Sequence, residues 1–399
     1  MQVKGIDAMR RRPGSLWLLL FLIMIFPEPV PAAVRPPLHV ILSIDTETSA
    51  GCGPNGCIPV PIEELILGLH GGRYYGIDLM MDMLEQHGMR GTFFVNAYLD
   101  AAYPDAEIQN FVRRIVARGH DVQLHTHAEF RCLRLCPGRD SACWKQCTRH
   151  ESFLVGNSYE AQLAIIREGA KNIERWTGSY PIAYRGGGFG ADETTLRVLR
   201  DLGIRFDSSL HTAGSPLGEL YPRNRVTERD GVVEIPLYSF RDDLVVERRE
   251  KFADMENLSL PELKELVRMA EQRDMRTAVF IMHSFSFCRE PGSCPNRQVI
   301  RNFEGFLGFL KAEQGVRVIT IKDLAQDYDR HPSDFAGSGV IPTNGYWMVL
   351  YRSFSLFGDS PNNRWFAVAN AAAVLLLILA VVAIGVFYRR RRRRGQTFS

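Results

Sequence analysis

The sequence predicts an α/β protein whose strand and helix units repeat often enough to close into a barrel. Three observations point there. Between positions 38 and 328, short apolar or β-branched runs alternate with amphipathic helical stretches, and repeated units of that kind make a parallel sheet with right-handed crossovers. Five helical stretches end in a glycine (Gly88, Gly119, Gly178, Gly203 and Gly315) shortly before the next run, as left-handed C-terminal caps require. Polar residues that a buried strand avoids gather at the C-terminal ends of the runs, and in a parallel barrel those ends share one face.

The runs, in order, are LHVILSID, GTFFVN, HDVQLH, IAYRG, IRFDSS, GVVEIPL, TAVFIMH and VRVITI. Helices are expected at YGIDLMMDMLEQHG, EIQNFVRRIVARG, YEAQLAIIREGAKNIERWTG, ETTLRVLRDLG and PELKELVRMAEQRD, where apolar residues recur three and four apart. Asn157 with Glu160, and Ser259 with Glu262, fit capping boxes. There is no internal repeat. Periodicity fades after position 330, so 331–365 reads as a stalk.

Apolar residues make up 46% and charged residues 23% of the 399, which excludes a disordered or collagen-like chain. The net charge of +3 is misleading, because ten of the 48 Lys and Arg lie at the two ends. The body between positions 34 and 388 keeps 38 basic residues against 43 acidic ones. That mildly acidic body has no electrostatic footprint for nucleic acid.

At the front, Arg10 to Arg12 precede an apolar stretch at 16–26 and the small-residue pattern Val30-Pro31-Ala32-Ala33, so 1–33 reads as a secretory signal peptide. At the back, 366–388 carries no charge and is long enough to cross a bilayer. The six arginines at 389–394 follow at once, and such an excess marks the cytoplasmic side. The expectation is a single-pass membrane protein with its main domain (38–330) extracytoplasmic, in the periplasm or at the cell surface, and 389–399 inside.

Eight cysteines fall in local clusters, Cys52/Cys57, Cys132/Cys136/Cys143/Cys147 and Cys288/Cys294. In an oxidising compartment these suggest four local disulfides; the four-cysteine cluster also fits a zinc knot. Each cluster follows a run that ends in polar residues, so all eight belong to loops on one rim.

The strand-end residues are Asp45 and Glu47, His125 with His127 and Glu129, Arg185, Asp207 and His283. Imidazole and carboxylates within mutual reach suit zinc or another first-row divalent metal. Amide or ester hydrolysis needs an activated water, a polarised carbonyl and a proton for the leaving group, and this set contains candidates for each.

In this order, SIDTE, GHDVQLHTHAE, YRGGGFG, RFDSS and IMH resemble the successive motifs of the polysaccharide deacetylases, the NodB-homology family 4 carbohydrate esterases. The resemblance covers about 38–328 and implies a distorted (β/α)7 barrel that removes N-acetyl or O-acetyl groups from a cell-envelope, capsular or extracellular polysaccharide. It implies Asp45 as general base, Glu47 as acidic metal ligand and His125 as first metal histidine. The second family histidine corresponds to Glu129, which is therefore the favoured third ligand, with His127 as runner-up. Arg185 matches the arginine that steadies the base, and Gly188 the position whose N–H faces the oxyanion. Asp207 matches the orienter of His283, and His283 the general acid. The implied cofactor is a divalent metal, zinc first, with cobalt, nickel or manganese as alternatives. Phe285, Phe287 and Leu210 are candidates for an acetyl pocket or for plain core packing. Two other readings are a different C–N or ester hydrolase on the same barrel, and a glycan-binding or assembly protein whose site has decayed.

Overall fold

The computed structural model describes residues 36–355 apart from 54–55, 137, 139, 152–153, 244–247 and 289–293, together with parts of 368–386. Seven parallel strands form the main sheet: β1 (Leu38–Thr46), β2 (Thr92–Asn96), β3 (Asp121–Thr126), β4 (Ala183–Gly186), β5 (Phe206–Asp207), β6 (Val232–Glu234) and β7 (Thr277–His283). Their order is β6-β5-β4-β3-β2-β1-β7; an eighth strand, β8 (Val316–Ile319), pairs with the start of β1, and a ninth, Thr227–Arg229, lies antiparallel along the edge of β6. The sheet curls until its two ends approach through a single bridge, Leu237 to Val279. The expected barrel is therefore a distorted one, joined on one side by a bridge rather than a full ladder.

Helices α1 (Ile77–Gln86), α2 (Asp105–Ala117), α3 (Tyr159–Thr177), α4 (Glu193–Leu202), α5 (Leu260–Gln272) and α6 (Arg297–Ala312) connect the strands. The first five coincide with the amphipathic stretches. Four of the predicted glycine caps have the expected positive φ, but Gly315 does not. A Cβ there would meet only the end of the Glu271 side chain, which can move aside, so nothing in the local packing requires glycine. Ser259 and Glu262 form the predicted capping box. At α3 the cap is Ser158, which accepts from the Ala161 N–H, one residue later than Asn157.

Strand alternation decides what enters the barrel. On β1, Val40, Leu42 and Ile44 join the outer core beneath the helices, while Ile41 faces inward. The same parity turns Ser43 and Asp45 inward. On β7, Ala278, Phe280 and Met282 pack outward, Val279 and Ile281 inward, and His283 continues the inner row. Asp45 and His283 are direct partners in the β1–β7 register. One pleat thus supplies an apolar floor and a polar mouth.

The rim loops are stapled. Cys132 bonds Cys147, Cys136 bonds Cys143 and Cys288 bonds Cys294. Cys57 is also in a disulfide and lies opposite Cys52 in hairpin register. The zinc-knot alternative therefore falls.

The segment expected as a stalk is partly built into the domain. Thr343–Asn344 pairs with Ser239–Asp243, and α7 (Tyr346–Ser355) buries Val349, Leu350 and Arg352. Arg352 reaches both Asp242 and Glu262, a buried charge matched by two carboxylates. Among the described residues no helix is long and apolar enough to cross a membrane. Only parts of 366–388 are described, and 1–33 and 389–399 lie outside the described residues.

Candidate active site

Arg185, at the end of β4, is fully buried and all three of its nitrogens donate. Nη1 donates to Asp45 Oδ1 at 2.6 Å and to Ser43 Oγ at 3.1 Å. Nε and Nη2 donate to Ser208 O and Ser208 Oγ, each at 3.0 Å. The guanidinium lies 4.0 Å from the Phe94 ring centroid, a cation–π contact on the inner floor. Asp45 is thereby fixed through one oxygen. Its other oxygen, Oδ2, lies 3.7 Å from His125 Nε2.

His125 ends β3 one strand further on. Its Nδ1–H donates to the Arg185 carbonyl at 2.8 Å, which directs Nε2 into the site. Nε2 is 3.0 Å from Glu47 Oε2, and His127 Nε2 is 2.6 Å from the same oxygen. Glu47, His125 and His127 offer ligand atoms within 4.8 Å of one another. Burial alone would raise the Glu47 carboxyl, but the charge of His127 and the hydrogen bonds from both imidazoles hold it well below the usual range. Burial likewise opposes charge on His127, and Glu47 and Glu129 override it, holding its pKa well above the ordinary value.

Glu129 does not join that group. Its Oε1 accepts from His127 Nδ1 at 2.7 Å, and its Oε2 is buried without a partner among the described residues. The geometry gathers His127 in place of the favoured Glu129 and sets Glu129 behind it. The reason is the turn at Ala128–Arg131, which carries position 129 off the strand and around the far side of the His127 ring.

His283 closes the cluster from β7. Its Nδ1–H donates to Glu256 Oε1. Burial pushes the imidazole pKa down, but the hydrogen bond and charge of Glu256, with Glu47 and Asp45 beyond, hold it at about 10. The Phe285 ring stacks on it at 4.9 Å. Ser284 ties this strand end to the first one: its N–H donates to the Asp45 carbonyl at 2.8 Å and its Oγ to the Glu47 carbonyl at 3.0 Å.

Glu256, and not the expected Asp207, is the carboxylate bonded to His283 Nδ1. Asp207 Oδ1 accepts from Ser209 Oγ at 2.6 Å, and Asp207 faces Glu234 in the β5–β6 register. Both carboxyls are fully buried. Burial raises each of them, and the charge of Asp207 raises Glu234 further, so the two do not readily ionise together.

Gly188 is exposed on the turn after β4 with φ 56°, a conformation open to glycine. Its neighbour Gly187 packs so closely that a Cβ would meet the Thr126 carbonyl at 2.2 Å. This locks the turn against the His125 strand. Phe287 and Leu210 are fully buried and belong to the core, so of the three apolar candidates only Phe285 lies at the mouth.

Sequence reasoning missed Glu256, Ser43, Ser208, Ser284 and Glu234. Glu234 carried a signal, a lone carboxyl inside the run GVVEIPL. Glu256 carried none, because it sits in a loop outside any recognisable motif.

The family model for polysaccharide deacetylase matches residues 77–206. A search of curated protein sequences gives no match. Among solved structures, a Mycobacterium smegmatis protein provisionally assigned as a polysaccharide deacetylase is 18% identical, covering 78% of this chain and 96% of its own, with a TM-score of 0.47. A family 4 carbohydrate esterase from Streptomyces lividans, in complex with acetate, is 13% identical, covering 70% of this chain and 91% of its own, with a TM-score of 0.36. A family 4 pseudoenzyme from Bacillus anthracis is 12% identical, covering 73% of this chain and 66% of its own, with a TM-score of 0.38.

Proposed function

We propose, for a chain whose residues 77–206 match the polysaccharide deacetylase family model, that it is a member of that family and hydrolyses acetyl groups on an extracytoplasmic polysaccharide with the help of a divalent metal. The observation that carries this reading is the convergence of Glu47, His125 and His127 beside Asp45 and across from His283.

The donor set fits a divalent ion. Two imidazole nitrogens and a carboxylate oxygen suit zinc and its first-row neighbours, His125 has its tautomer fixed by the Arg185 carbonyl, and Glu129 backs His127 as an outer-shell carboxylate does. When bound, such an ion supplies Lewis-acid polarisation of an acyl oxygen and lowers the pKa of water. Asp45 accepts the proton of the attacking water through Oδ2, since Arg185 occupies Oδ1. Through Nε2, His283 donates to the leaving nitrogen or oxygen, because Glu256 occupies Nδ1. The two groups that move protons thus stand on adjacent strands, each clamped at the atom it does not use. The exposed Gly188 turn is the candidate oxyanion donor.

The test is acetate release by the full chain from peptidoglycan, chitooligosaccharide and acetylated exopolysaccharide, before and after chelation and with zinc, cobalt, nickel or manganese restored. Metal-dependent release from at least one glycan is the expected result. No release from any of them with any metal returns the chain to the glycan-binding reading.

A further inference from the structure

A second surface stands apart from the mouth. The N-terminal parts of α5 and α6 and one side of α7 enclose a cleft of about 500 Å³, lined by Lys264, Arg268, Arg301, Met348 and Tyr351. Lys264 and Arg268 both lie over the Phe309 ring. Among the described residues Lys264 and Arg301 have no carboxylate within 4.0 Å, and Arg268 has Glu265 at 3.9 Å and feels Glu271 as well. The cleft therefore gathers three cations, two of them without an ion-pair partner among the described residues, on a chain whose body is acidic overall.

The helix that borders it is amphipathic in an unusual sense. One side of α7 is pinned by Val349, Leu350 and Arg352. The other presents Trp347, 69% exposed, and Tyr351, 53% exposed, one turn apart on the same face. Trp and Tyr concentrate where water meets the bilayer, and Lys and Arg next to them attract anionic headgroups. Ten residues separate Ser355 from the uncharged segment that begins at 366, a span of at most about 35 Å.

We propose that this face docks on a membrane surface, with an anionic phospholipid headgroup seated in the Lys264–Arg268–Arg301 cleft and Trp347 and Tyr351 in the interfacial layer. The proposal does not depend on the chemistry assigned to the barrel mouth. It has a consequence for it, because α5 and α6 both begin at the end of the barrel where β7 delivers His283. Docking holds the mouth beside the membrane, so the glycan within reach is the layer that lies against it.

Full chain purified in detergent and reconstituted into nanodiscs, of phosphatidylcholine alone or with phosphatidylglycerol, provides the test through hydrogen exchange of peptides covering 259–268 and 346–352. Exchange of both peptides should slow on the order of fivefold in the phosphatidylglycerol discs relative to detergent. The protection should be lost in Lys264→Glu/Arg268→Glu/Arg301→Glu and weakened in the single exposed variants Arg301→Glu and Trp347→Ser. Equal exchange in detergent and both kinds of disc overturns the proposal. So does equal protection by a soluble anionic polysaccharide in detergent, which would make the cleft a glycan subsite.

Discussion

Glu256 accepts a hydrogen bond from His283 Nδ1, so the only nitrogen that His283 can turn toward a substrate is Nε2. The same carboxylate is the main reason the imidazole keeps its proton up to about pH 10, against the effect of burial. Replacing Glu256 by Gln keeps the hydrogen-bonding shape and removes the charge. The pKa of His283 then falls, and the alkaline limb of the pH–rate profile moves to lower pH. At neutral pH the rate should drop about 10–10²-fold, less than the roughly 10²–10⁴-fold that a positioned acid contributes outright. Asp207→Asn should leave that limb where it is. A shift in Asp207→Asn and none in Glu256→Gln would return the orienting role to Asp207.

The Asp207–Glu234 pair makes a prediction about stability. Burial and mutual repulsion raise Glu234 well above its ordinary value, so the folded state binds a proton more tightly than the unfolded chain. Its contribution is complete below the unfolded carboxyl pKa and is lost as pH rises toward the folded one. Glu234→Gln keeps an acceptor for the Leu210 N–H and can donate to Asp207. Thermal unfolding should show the variant a few degrees more stable than the native chain at pH 8, on the order of 1 kcal/mol, with the advantage fading near pH 4. A variant less stable at pH 8 would mean that the two carboxyls ionise together without cost.

The nested bridges Cys132–Cys147 and Cys136–Cys143 close directly on the turn that carries His127 and Glu129. Removing both bridges by Cys→Ala should lower the unfolding free energy by about 2–5 kcal/mol and loosen the placement of His127. Urea midpoints measure the first effect and zinc competition against a chromogenic chelator the second. Unchanged zinc affinity would show that the turn is held by its own packing.

Much of this arrangement is legible in the sequence. Period-two alternation along LHVILSID and TAVFIMH already turns Asp45 and His283 to one side, and the register of β1 against β7 merely brings them level. Arg185 is recognisable by its place at a strand end, although its grip on Ser208 is not. Spacing alone favours position 129, whereas the 3-10 turn after His127 sends that carboxylate behind the ring and leaves His127 beside Glu47 and His125. Glu256 was invisible for a different reason. It comes from a connection that lies against His283 only after the Asp254–Ile281 bridge has formed, a long-range pairing that no local pattern announces.

The most direct test of the account joins metal content to acetate release across four single variants of the full chain. Glu47→Ala and His127→Ala should be purified without metal and without activity, because each removes one of three protein ligands. Glu129→Gln should keep stoichiometric metal, held about 10–100-fold more weakly, as outer-shell changes do. Asp45→Asn should hold metal as the native chain does and release no acetate. Metal lost from Glu129→Gln but kept by His127→Ala, or acetate released by Asp45→Asn at the native rate, would contradict the site as it is drawn.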